Sequence, residues 1–188
     1  MKQICYPFSE GSVRSLRVGE IVRVNGCVYT GRDRLHKYLA EGGACPVSLR
    51  DGALYHCGPV VVPQDGGWRV VAAGPTTSIR EESYMAKVIG QHGVRVIIGK
   101  GGMGPATHEA CRRFGCVYLQ AVGGAAALLA QRIVRVESVH FLDEFGATEA
   151  LWQLEVENFE TVVGMDAHGG DVFADVRTAS GAELQKLM

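Results

Sequence analysis

Apolar and polar positions follow two rhythms along this chain, and the rhythms predict its elements. Ile21-Val22-Arg23-Val24 alternates with a period of two and reads as a strand, with Asn25-Gly26 behind it as a turn. Leu35, Tyr38 and Leu39 recur at helical spacing, which predicts a helix capped by Asp33 and stopped at Glu41-Gly42-Gly43. The apolar stretch from Leu54 to Val62, broken at Gly58-Pro59, predicts a loop and a strand. Asp65-Gly66-Gly67 then turns into a strand from Trp68 to Ala73. Ser83 to Gln91 returns to helical spacing and closes before Gly93.

From Val94 the pattern becomes regular. A strand from Val94 to Ile98 leads through a glycine loop to a helix starting near Pro105, a residue suited to the first helical position. A second strand, Cys116 to Ala121, leads through Gly123-Gly124 to a helix from Ala125 to Arg132. Two such units in succession predict parallel strands joined by right-handed crossovers. Farther on, Ile133 to Leu142, Trp152 to Val156, Thr161 to Met165 and Val172 to Val176 read as strands, with a short helix at the end. Asp166-Ala167-His168 before Gly169-Gly170 reads as a hairpin turn. The first fifteen residues are polar and yield no element. With no linker, repeat or low-complexity run, the expectation is one mixed α/β domain over residues 1–188.

Composition narrows the function classes. A chain of 188 residues that is 47% hydrophobic can bury a core without disulfides. Its 19 basic and 20 acidic residues leave a net charge of −1, so no general field favours nucleic acid or an anionic membrane. Any anion binding must be local. Met1 to Pro7 holds no apolar signal core, and the uncharged stretch Val117 to Ala130 is short for a membrane span, so a soluble, cytoplasmic protein is expected. Of six cysteines (5, 27, 45, 57, 111 and 116), none sit at C-x-x-C spacing, and they read as free thiols used as small apolar side chains.

Three turns concentrate the remaining chemistry. Thr30-Gly31-Arg32-Asp33, Gly74-Pro75-Thr76-Thr77-Ser78-Ile79-Arg80 and Gly99-Lys100-Gly101-Gly102-Met103-Gly104 each put a cation among small residues just beyond an apolar run. Strand ends of this kind are where α/β proteins keep their sites, and an arginine fork matches a carboxylate. Arg32 and Arg80 could equally be surface groups paired with Asp33, Glu81 or Glu82, and Thr76, Thr77 and Ser78 could be plain turn formers. His36 follows the Arg32 turn by one helical turn; a lone histidine is by default structural, with proton handling its alternative role. His56, His92, His108 and His140 show no partner spacing.

Gly99-x-Gly101-x-x-Gly104 also matches the literal dinucleotide fingerprint, so a nucleotide- or phosphate-binding α/β enzyme is the rival reading. That reading needs an acidic residue about 20 positions on, at the end of the next strand. Leu119 to Gly123 contains none, and no Gly-Lys-Ser/Thr follows for a P-loop. The loop reads better as a helix N-terminus plus the Lys100 ammonium facing a carboxylate.

The turns carry a wider likeness. Tyr29 to Asp33 leading to His36-Lys37, with Gly74 to Arg80 and Gly99 to Gly104, resembles the signature of iron–sulfur-dependent hydro-lyases. The likeness is to the β subunit, or C-terminal domain, of class I fumarase and L(+)-tartrate dehydratase. It continues through Val122 to Ala127, Glu144 to Trp152 and Glu155 to Phe159, covering nearly the whole chain in order. It implies a swivelling β/β/α architecture and a small dicarboxylate substrate held by Arg32, Arg80 and Lys100. It further implies a [4Fe–4S] cluster carried by a separate α subunit, and matches Thr76 to a position proposed in proton abstraction. An aliphatic hydroxyl is a poor base without cationic neighbours, so Thr76 or His36 stays open as the proton carrier. Fumarate, malate and tartrate share their two carboxylates, which leaves the substrate open as well. A docking face for the partner would be covered by self-association in the isolated chain.

Overall fold

The computed structural model describes residues 1–187. In chain order the first half comprises β1 (Lys2–Cys5), α1 (Glu10–Arg14), β2 (Ile21–Gly31), α2 (Asp33–Ala40), β3 (Ala53–His56), β4 (Val60–Gln64) and β5 (Gly67–Ala72). A 3-10 turn over Ser78–Glu81 runs into α3 (Glu82–His92), followed by β6 (Val96–Gly99), α4 (Pro105–Phe114), β7 (Val117–Gln120) and α5 (Ala126–Ala130). The chain then forms β8 (Ile133–His140), α6 (Leu142–Phe145), β9 (Leu151–Met165) and α7 (Val172–Leu187).

Strands β2, β3, β6 and β7 pair in parallel, as the strand–glycine–helix rhythm predicts. The long β9 runs antiparallel to them and pairs with both β7 and β2, so five strands close into a ring. β1 and β8 extend it, and β4 with β5 forms a separate hairpin. Strand alternation divides the core in two. Tyr55, Val96, Ile98, Val117 and Leu119 join Val28, Leu154 and Val163 in one cluster. Their neighbours Leu54, Ile97 and Tyr118 pack against Leu35 and Leu39 of α2, Met85 and Ile89 of α3, and Cys111 of α4. Strands covered on both faces need apolar residues at every position, so β3, β6 and β7 show no polar alternation.

Several expectations are corrected. Asn25-Gly26 is a bulge inside β2: the register to β9 shifts between Val24 and Gly26, and Gly26 takes a φ of +94°. The same pairing joins the two strands expected over 152–156 and 161–165. The Asn25 side chain accepts the Asn158 backbone N–H at 2.8 Å and carries β9 through its polar middle. Residues 172–176 are helical, because Asp171 accepts the N–H groups of Phe173 and Ala174 at 2.9 and 3.1 Å and caps α7. Asp33 is the first residue of α2 and not its cap. Gly93 ends α3 in the left-handed conformation at φ +68°, as its position suggests. No described helix is long and apolar enough to cross a membrane.

Candidate functional site

Register decides which loops meet. Gly31 of β2 lies opposite His56 of β3, Tyr55 opposite Ile98 of β6, and Gly99 opposite Gln120 of β7. The C-terminal ends of the parallel strands therefore finish at one level, and Arg32 and Lys100 each stand one residue beyond it. The 76–80 segment crosses the same edge. Thr76 donates its N–H to the His56 carbonyl at 2.7 Å, Thr77 forms a bridge pair with Lys100, and Ser78 donates to the Lys100 carbonyl at 3.0 Å. Arg80, at the end of that segment, is ion-paired with Asp33 beside Arg32. Arg32, Thr76, Arg80 and Lys100, separated by up to 68 positions in sequence, thus share one edge of the sheet.

The cations differ in their surroundings. Arg32 keeps its Nε 3.7 Å from Glu149, and that nitrogen is buried without a hydrogen-bond partner. The other Glu149 oxygen accepts the Arg34 N–H at 3.0 Å, so the carboxylate is tethered. Arg80 is half exposed, as its surface pairing with Asp33 requires. Lys100 is half-buried and its stem lies against Gly123. Thr76 is half-buried next to Thr77, the bridge partner of Lys100.

Beneath this edge lies a polar layer that sequence spacing did not reveal. His36 reaches from α2 to Glu81 at 3.0 Å, and both side chains are fully buried. The His36 ring sits edge-on to that of His56, with centroids 5.0 Å apart. Burial, reinforced by His36, holds His56 well below the ordinary histidine pKa and keeps it neutral. His56 Nδ1 lies 2.9 Å from Ser78 Oγ, which also takes hydrogen bonds from the Lys100 N–H at 3.1 Å and the Tyr118 hydroxyl at 3.0 Å. The one available signal was that His56 closes the apolar run Ala53-Leu54-Tyr55; Ser78, inside the Gly74 to Arg80 turn, gave none.

The glycine loop has a different role from either sequence reading. A Cβ at Gly99 would overlap Ser78 Oγ, one at Gly102 would meet the Phe173 ring at 2.6 Å, and one at Gly104 would meet the Glu82 carboxylate at 2.6 Å. Glu82 itself accepts the N–H groups of Gly104, Ala106 and Thr107 at 2.8, 2.9 and 3.2 Å, and the Thr107 hydroxyl at 2.6 Å. An internal carboxylate therefore fills the N-terminus of α4. This corrects the expectation that the helix end faces a ligand, and it leaves no seat there for a pyrophosphate. Lys100, half-buried with its stem against Gly123, is the cation of this loop.

Cys111 and Cys116 are neighbours, and the described cysteines form no larger group. Burial pushes the thiols of Cys27, Cys45 and Cys116 up, and that of Cys57 to about 12 although Arg32 opposes it. Among the described residues no three His, Cys, Asp or Glu side chains are grouped to hold a metal ion.

Comparison with known proteins gives this geometry a context. The family described as "Fumarase C-terminus" matches residues 3–176. Over 182 residues the chain is 49% identical to a Geobacillus stearothermophilus protein carrying the provisional name fumarate hydratase class I, covering 96% of this chain and 34% of that one. It therefore spans about a third of that relative's length. Over 181 residues it is 39% identical to a Methanocaldococcus jannaschii protein provisionally named L(+)-tartrate dehydratase subunit beta, covering 94% and 93%. With the L(+)-tartrate dehydratase subunit beta of Escherichia coli K12 it shares 36% identity over 176 residues, covering 93% and 87%.

Proposed function

The chain belongs to the fumarase C-terminus family, and from that premise we propose that it is the β subunit of a two-chain hydro-lyase acting on a small dicarboxylate in the cytoplasm. Residues 1–188 form the catalytic half that binds the substrate. The observation that carries the reading is the meeting of Arg32, Arg80, Lys100 and Thr76 at the ends of parallel strands, on a chain that aligns nearly end to end with two β subunits.

Reversible dehydration of a 2-hydroxy dicarboxylate removes a proton next to a carboxylate and expels a hydroxyl. The carbon acid is weak unless the neighbouring carboxylate is held by cations that stabilise the charge developing on it. Arg32, Arg80 and Lys100 are assigned that clamp, with substrate carboxylates competing against Glu149 and Asp33 for the two guanidiniums. Thr76 is assigned the role of orienting the substrate beside the reacting carbon. His36, fully buried on Glu81 and tied through its backbone N–H to the Arg32 carbonyl at 3.0 Å, is the other candidate for handling the proton.

The expulsion step in such enzymes is served by a [4Fe–4S] cluster. The thiols of this chain form no group of three and do not fit it, so the cluster is assigned to the partner α subunit. The α subunit then docks over the strand-end edge, where Ile79 and Val122 stand exposed; the isolated chain covers the same face by self-association. To test this, the chain is purified alone and together with an α subunit, and fumarate hydration and L-tartrate dehydration are assayed anaerobically. Activity only in the mixture is expected. Activity from this polypeptide alone would overturn the division of labour, and the preferred substrate would separate the fumarate from the tartrate reading.

A further inference from the structure

Ser78 sits where the Thr76–Arg80 segment meets the Lys100 loop, and its hydroxyl is fully buried. Two donors point into the same oxygen. The Lys100 backbone N–H can only donate, at 3.1 Å. The Tyr118 phenol is held protonated by burial, accepts the Gly102 N–H at 3.3 Å, and donates its own hydrogen to Ser78 at 3.0 Å. A hydroxyl has two acceptor lone pairs and one proton. With both lone pairs taken, the Ser78 proton has one place left to go, His56 Nδ1 at 2.9 Å. On these directions His56 is the neutral tautomer with its proton on Nε2, a buried nitrogen that has no hydrogen-bond partner of its own.

The hub has a built seat. Gly99 has no side chain at the point where a Cβ would overlap Ser78 Oγ, so the first glycine of the loop is explained by room for a serine and not by approach to a phosphate. Ser78 also binds Lys100 twice, taking its N–H on the hydroxyl and giving its own N–H to the Lys100 carbonyl at 3.0 Å. Two cation-bearing segments from different parts of the chain are thus locked at one residue.

We infer that Ser78 is a positioning residue of the dicarboxylate site, which sets Lys100 against Thr76 and Arg80 through a directional hydrogen-bond hub that holds His56 as its neutral Nε2–H tautomer. Ser78 does not touch substrate; it acts through Lys100. The inference rests on the proposed function for the identity of the site, while the hub itself can be observed without any activity.

The first arm uses the chain alone. In long-range proton–nitrogen spectra of histidine-labelled protein, assigned with His56→Gln, His56 should remain the neutral Nε2–H tautomer from pH 8 to about pH 5, as a buried histidine with a committed acceptor does. Protonation in that range, or an Nδ1–H tautomer, would overturn the hub. Exchange of the Lys100 amide should quicken by about tenfold or more in Ser78→Ala, as expected when a buried donor loses its acceptor, with partial recovery in Ser78→Cys. Unchanged exchange in a folded Ser78→Ala protein would equally overturn it. The second arm uses the assembled enzyme. Ser78→Ala should raise KM for the dicarboxylate by about tenfold with a smaller loss in kcat, because the clamp and not the proton transfer is displaced, and Ser78→Cys should restore part of it. Wild-type KM in an active Ser78→Ala enzyme would refute the positioning role. An inactive wild-type mixture would instead count against the proposed function, and the first arm would then decide the hub by itself.

Discussion

Replacing Glu82 should show how much one internal carboxylate contributes to building the glycine loop. Its two oxygens take the backbone N–H groups of the cap residue Gly104 and of Ala106 and Thr107 in the first turn of α4, and the Thr107 hydroxyl, at 2.6 to 3.2 Å. Glu82→Ala removes a cap contributing about 1 kcal/mol. It also removes a negative charge at a helix N-terminus, about 0.3–1 kcal/mol. The buried Thr107 hydroxyl loses its acceptor, which costs about 1 kcal/mol or more. Together these destabilise the chain by roughly 2–4 kcal/mol, a fall in melting temperature of about 5–15 °C at this chain length. Glu82→Gln keeps one accepting oxygen and should lose about half as much. Urea titration of the purified chain is the assay, with the midpoint moving and the slope unchanged. A melting temperature within about 2 °C of wild type in Glu82→Ala would refute the capping role and reopen the helix end as a ligand seat.

Other predictions concern the site and its support. In the assembled enzyme, Arg80→Lys keeps the charge but loses the planar fork, so turnover should fall at least about tenfold, and Lys100→Met should cost more; near-wild-type kinetics would contradict the clamp. Serine in place of any single cysteine should leave the visible absorption of the assembled enzyme's cluster intact, and its loss in a folded variant would show that this chain ligates iron. Burial raises the Asp166 carboxyl, but N–H donors from Gly170, His168 and Val18 outweigh it and hold the pKa below the ordinary 3.8. That stabilisation is complete above the unfolded value and is lost as pH falls through the folded one. Asp166→Asn should therefore lower stability near neutral pH and flatten its further decline below about pH 4, measured by urea midpoint against pH.

Much of the fold was legible because its signals are local. Glycine stops, Pro105 at a helix start, and unbroken apolar runs marked α3, α4, β6 and β7 within a residue or two, and the repeated strand–glycine–helix order announced parallel pairing. Local signals failed where a distant strand supplied the missing partner. Asn25-Gly26 has the chemistry of a turn, and only pairing with Asn158 across the sheet makes it a bulge. The cations at 32, 80 and 100 could each be named as loop residues of a possible site, since charge beside small residues after an apolar run is visible in one dimension. Their meeting could not be read there, because it follows from the register of four strands. Glycine spacing likewise left open what the loop encloses. The answer lies in the atoms that occupy the space beside each glycine, Ser78, Phe173 and Glu82, and those are brought there by packing between elements far apart in the chain.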